Sequence, residues 1–136
     1  MVALTEGRTT PKRDSKTFGR PVAATKKIFE GALVCLNASG FATPGAVATT
    51  LKADGLALST VDNTTGADGA LTVQVERGTF RFANSAAGDL IVRADIGASA
   101  YVVDDQTVAK TNGGATRSVA GTIVDVDAQG VWVKIG

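Results

Sequence analysis

The sequence predicts an all-β protein: a small antiparallel β-barrel or β-sandwich over residues 28–136, behind an extended basic N-terminal arm over residues 1–27. Three observations carry that expectation. Val, Ile and Thr number 16, 5 and 17 against 8 Leu and 3 Glu, and β-branched side chains suit a pleated surface better than a helix. The 16 Gly exceed an average usage of about 7% and supply the positive-φ positions that frequent tight turns require. Apolar and polar residues alternate through several short runs, the period of a strand with one wet face. A chain of 136 residues is long enough for one domain with a real apolar core.

The arm is marked by charge. Arg8, Lys12, Arg13, Lys16, Arg20, Lys26 and Lys27 stand against Glu6 and Asp14, a balance of +5, whereas the remaining 7 bases and 11 acids balance at −4. Val2, Leu4, Phe18 and Val22 are its only sizeable apolar groups, too few to pack alone.

Beyond the arm, residues 28–36 are expected to form the first core strand, ended by the turn formers Asn37, Ser39 and Gly40. Residues 43–54 read as loop and strand, because Val47, Thr49 and Thr50 oppose the helix that Thr43-Pro44 could open. Leu56 and Leu58 alternate with small residues before the turn-rich stretch 63–69. Leu71, Val73 and Val75 alternate with Thr72, Gln74 and Glu76, the clearest strand in the chain. Gly78 marks a bulge or bend, after which Phe80 and Phe82 turn into the core. Residues 84–97 hold a turn, a short apolar piece and one helical turn at 93–96. Strands at 101–103, 107–109, 118–126 and 131–135 complete two terminal hairpins.

No residue set supports a reaction. The chain has no His, which removes the commonest general base, the usual zinc ligand and every Ser-His or Cys-His pairing. Nucleophile-elbow and phosphate-loop motifs are missing. Asp104-Asp105 and Asp125-x-Asp127 lack the spacing of a calcium loop and read as turn caps. Cys35 sits in an apolar run and reads as a buried, inert thiol. No catalytic residue, metal, cofactor or small-molecule substrate is therefore expected. No apolar stretch reaches a membrane span and no signal-peptide core follows Met1, so the expected place of synthesis is the cytosol, with no membrane contact.

The remaining chemistry is binding. The arm could grip nucleic acid through its phosphates, order itself on an acidic protein partner, or remain a solvated tail. Arg77 to Phe82 lacks the aromatic placement of an RNA-binding strand. Trp132 alternates out of the face formed by Val131, Val133 and Ile135, making it a second-core residue or an interface anchor.

The runs at residues 100–109, 119–127 and 130–133, with Val61-Asp62-Asn63-Thr64, residues 69–73 and residues 77–84 upstream, resemble capsid cement proteins of tailed bacteriophages, in particular members from Mu-like phages. The likeness spans roughly residues 28–135. It implies a β-tulip-like domain on the outside of the icosahedral head, commonly a homotrimer. There it would bridge neighbouring major capsid protein subunits in the virion, after assembly in the host cytoplasm. Its motifs are strand and turn residues and imply no catalytic site. The arm departs from that pattern and is argued physically: Arg8, Lys12, Arg13, Lys16, Phe18, Arg20, Lys26 and Lys27 are the expected capsid-binding residues, Trp132 and Tyr101 the expected oligomer contacts, and nucleic acid an unlikely partner.

Overall fold

Leu33, Val34 and Cys35 are all fully buried, and this run without alternation marks a strand covered on both faces. The structure, a computed structural model, describes residues 2–13 and 15–136. Its strands are β1 (Thr17–Pro21), β2 (Lys26–Ile28), β3 (Leu33–Leu36), β4 (Ala42–Pro44), β5 (Lys52–Ala57), β6 (Val61–Asn63), β7 (Thr72–Glu76), β8 (Gly78–Phe82), β9 (Ser99–Val102), β10 (Val108–Ala109), β11 (Val119–Asp127) and β12 (Gly130–Ile135). Two single-turn 3-10 helices occupy Ala87–Asp89 and Arg93–Asp95, and the described residues hold no α-helix. The strands form two five-stranded antiparallel sheets, β1-β7-β5-β3-β4 and β10-β9-β11-β12-β8, and a two-stranded sheet of β2 and β6.

Two cores follow from the alternation in β3. Leu33 and Cys35, with Leu51, Ala53 and Leu56, meet the inner side chains of the second sheet: Phe82, Ala100, Val102, Ile123, Val131 and Val133. Val34, on the opposite face, joins Val22, Ala42, Ala57, Val73 and Val75 under Ile28 and Val61 from the two-stranded sheet. Each such Val or Ile contributes about 1.5–3 kcal/mol on burial.

The two large sheets are the same sheet built twice. Taken in chain order within its own half, each places its strands as first, fifth, fourth, second, third. Registers agree residue by residue. In the first half Val34 faces Gly55 and, across a bulge at Asp54, Cys35 faces Ala53. In the second, Ala100 faces Gly121 and, across a bulge at Ala120, Tyr101 faces Val119. Glu76 pairs with Leu56 and Thr17, as Lys134 pairs with Thr122 and Thr79. The Gly31 N–H donates to the Ala57 carbonyl at 2.9 Å, as the Gly97 N–H does to that of Ile123 at 2.8 Å. In each half a parallel bridge also ties the end of the first strand to the third-strand region, Val22 to Ala42 and, one residue earlier on both strands, Ala83 to Thr107. Neither five-stranded sheet closes on itself, so the barrel alternative is not the architecture.

Several expectations shift. The arm expected through residue 27 is shorter as a separate segment, because β1 adds to the first sheet against β7 and β2 pairs with β6. The expected strand over 28–36 is two strands, split where Gly31 at φ +84° allows a turn and the Ala32 N–H reaches the Phe29 carbonyl at 3.0 Å. Leu58 and Leu71 lie outside β5 and β7 and are exposed. Gly78 begins β8, and between β7 and β8 the chain crosses from one sheet to the other. Val73, Val75 and Phe82 are buried, Phe80 packs on the core, and the helical turn falls at Arg93–Asp95.

Cys35 is fully buried, and burial first, then the Asp54 charge, pushes its thiol up to about 12 from 9.0. Above pH 9 the unfolded thiol ionises while the folded one keeps its proton, so the native state binds more protons and stability falls as pH rises from 9 towards 12. The unfolding free energy of the wild type should lose up to about 1.4 kcal/mol more per pH unit in that window than that of Cys35→Ala. Parallel slopes in urea titrations of the two proteins would contradict this.

Candidate interaction surface

Asp54 is the bulge residue of β5 and is 2% exposed. A carboxylate held there needs partners, and two arginines from distant segments supply them. Arg20 on β1 donates from Nε to Oδ2 at 2.6 Å and from Nη2 to Oδ1 at 3.0 Å. Arg77, at the crossing between the sheets, donates from Nη2 to Oδ1 at 3.1 Å. Both guanidinium groups lie 4.6 Å from the centre of the Phe18 ring, and that of Arg13 lies at 5.4 Å. One aromatic face system is thus ringed by three cations, a geometry favoured by the ring quadrupole.

This cluster roots the N-terminal segment. The Arg77 N–H donates to the Lys16 carbonyl at 2.7 Å, and Lys16 Nζ lies 3.8 Å from Glu76. Beside it opens a cleft of about 280 Å³ whose lining includes Ser15, Lys16, Arg77, Gly78, Thr79 and Lys134. Arg13, Arg20 and Arg77 therefore gather around Phe18, with Lys16 and Lys134 along the adjoining cleft, and the ion-paired carboxylates there are Asp54 and Glu76.

Of the expected arm residues, the structure brings together Arg13, Lys16, Phe18 and Arg20. Arg8 and Lys12 are exposed on a stretch that holds no strand. Lys26 and Lys27 stand on the separate two-stranded sheet, with Lys27 Nζ at 4.0 Å from Asp62 and 4.9 Å from the Phe29 ring centre. Arg77, Asp54 and Lys134 were not expected in the site. Arg77 carried a signal, the break in alternation beside Gly78; Asp54 and Lys134 carried none.

Trp132 and Tyr101 share the outward side of the second sheet without forming one patch. Tyr101 faces Val119 at the start of β11, whereas Trp132 faces Asp125 near its end. Trp132 is anchored in place: its Nε1–H donates to Asp127 Oδ2 at 2.9 Å, and the Arg81 guanidinium lies 5.7 Å from its ring centre. That indole N–H, followed by the backbone N–H of Gln129, holds the Asp127 carboxyl below its ordinary range. Asp104 and Asp127 accept backbone N–H bonds in turns, the capping role expected of them, whereas Asp125 lies within β11 and accepts only from the N–H of the next residue, Val126. Among the described residues no group of three or more His, Cys, Asp or Glu side chains is placed to hold a metal ion.

No protein-family model, curated protein or solved structure matches this chain.

Proposed function

We propose that the chain is a capsid decoration protein, a cement that binds the outer surface of an icosahedral phage head and bridges major capsid protein subunits. The observation that carries the reading is the cationic cluster at the root of the basic N-terminal segment, mounted on paired antiparallel sheets. Such a surface suits docking on an acidic protein lattice. The sequence runs that resemble Mu-like cement proteins support the same role, together with a β-tulip-like domain that self-associates as a trimer. In that trimer Tyr101 or Trp132 would serve as separate contacts. The function is binding, without turnover, in a virion assembled in the host cytoplasm.

Heads assembled without the chain, mixed with purified protein and sedimented, test the reading. The full chain is expected to co-sediment. A chain lacking residues 1–13 keeps every strand, since β1 begins at Thr17, and is expected to bind about tenfold more weakly or worse. Binding by the full chain should also weaken with salt, because exposed charges are screened beyond about 8 Å at physiological ionic strength. Equal binding by the shortened chain removes the arm from the mechanism; no binding by the full chain at low salt ends the reading.

A further inference from the structure

The doubled sheet contains its own control for the charged cluster. The shared registers put Arg20 where the second half has Phe82, Asp54 where it has Ala120, and Arg77 where it has Ile135. Phe82, Ala120 and Ile135 are all buried in one apolar cluster. The same strand order, the same bulge and the same neighbouring glycine are therefore held together in the second half by an apolar triad. The fold has no need of ions at this position, and a buried ion pair is weak grounds for stability.

From this we infer that the triad Arg20, Asp54 and Arg77, with Phe18, Arg13 and Lys16, is a recognition site for an acidic peptide segment of a partner protein. The inference rests on reading the chain as a protein that binds other proteins, and it names the partner's chemistry. Asp54, out of solvent, acts as a positioning residue: it takes one edge of the Arg20 guanidinium and one N–H of Arg77. The Phe18 ring centre lies 4.6 Å from both guanidinium carbons. Guanidinium groups fixed in this way keep further N–H donors, and a planar fork of donors matches a carboxylate bidentately at little ordering cost. One buried carboxylate offsets one of the two arginines, so the triad with Arg13 keeps a cationic excess that a row of Asp or Glu side chains would compensate. The cleft beside the triad, lined by Lys16, Arg77 and Lys134 together with Ile135 and Gly136, is short. A peptide suits this better than a nucleic-acid backbone, because the donors converge on one ring at one end and do not follow a groove.

The test uses full-length protein, a fluorescein-labelled oligoglutamate peptide and, as a rival, a labelled oligothymidylate of equal charge, both read by fluorescence anisotropy. Three proteins are compared: wild type, the apolar swap Arg20→Phe with Asp54→Ala and Arg77→Ile, and Arg13→Gln at an exposed position that no strand depends on. The swap is required to retain the wild-type circular dichroism spectrum; its failure to fold would itself overturn the argument from the second half. Wild type is expected to bind oligoglutamate in preference to oligothymidylate, the swap to bind about tenfold more weakly or worse, and Arg13→Gln to bind measurably more weakly. Equal oligoglutamate binding by wild type and swap overturns the proposal, as does tighter oligothymidylate binding that the swap abolishes. Head sedimentation separates the two claims: intact head binding with no dependence on the triad sinks this inference alone, whereas failure of wild type to bind heads while oligoglutamate binding persists sinks only the capsid reading.

Discussion

Alanine at Gly55 or at Gly121 should each unfold or severely destabilise the protein, by on the order of 4 kcal/mol or more. A Cβ on Gly55 would overlap the backbone carbonyl of Glu76, with the Val75 Cγ1 at 3.0 Å. A Cβ on Gly121 would overlap the carbonyl of Lys134, with the Val133 Cγ1 at 2.9 Å. The obstacle is backbone of the paired strand in both cases, so relief requires the β5–β7 or the β11–β12 pairing to open. The two positions are equivalent in register, and the two losses should therefore be of similar size. Gly88→Ala is the control, since nothing lies within 4 Å of its added Cβ; its change should stay within about 0.5 kcal/mol. Thermal melts of the three variants decide it. A melting point for Gly55→Ala or Gly121→Ala within a degree or two of wild type would contradict the strand pairing itself.

Breaking the ionic triad from one side should cost far more than replacing it whole. With Arg20→Ala and Arg77→Ala together, Asp54, 2% exposed in the wild type, loses both arginine partners of its carboxylate. An uncompensated buried charge costs about 3–5 kcal/mol. Replacing all three groups by the Phe, Ala and Ile of the second half removes the charge along with its partners, and such swaps are neutral or stabilising by about 1–4 kcal/mol. The protein with fewer native contacts deleted should thus be the less stable one. Urea titrations give both values. The order would be reversed if the triad were a stability element, and the equivalence drawn between the two halves would fail with it.

How much of this was legible in the sequence depended on distance along the chain. The strand at residues 72–76 could be read from its own alternation, and the terminal hairpins because adjacent segments pair through short connections. β1 could not, because its partner β7 lies more than fifty residues on, and a strand carrying Gly19, Arg20 and Pro21 resembles a polar tail until that partner is known. β2 was hidden for a related reason: Lys26 and Lys27 are exposed, and only Ile28 is buried. The doubling left faint marks, Thr17-Phe18 with Thr79-Phe80, Gly31-Ala32 with Gly97-Ala98, and Val73-Gln74-Val75 with Val131-Trp132-Val133. The residues between differ because the surroundings differ. Leu33 and Cys35 face the second sheet, whereas their counterparts Ser99 and Tyr101 face outward. The site was half visible. Clustered bases pointed to Arg13, Lys16 and Arg20, but Asp54 and Arg77 join them only through the bulge and the crossing, neither of which a linear pattern records.

Cryo-electron microscopy of heads decorated with the wild-type chain tests the central claim most directly, that a charged end built at the junction of the two sheets is what meets a partner. The account predicts density for the chain on the outer shell, with Arg13, Phe18, Arg20 and Arg77 turned towards carboxylates of the capsid subunits. Heads that carry no such density, or chains seated by another surface with this end in solvent, would contradict it.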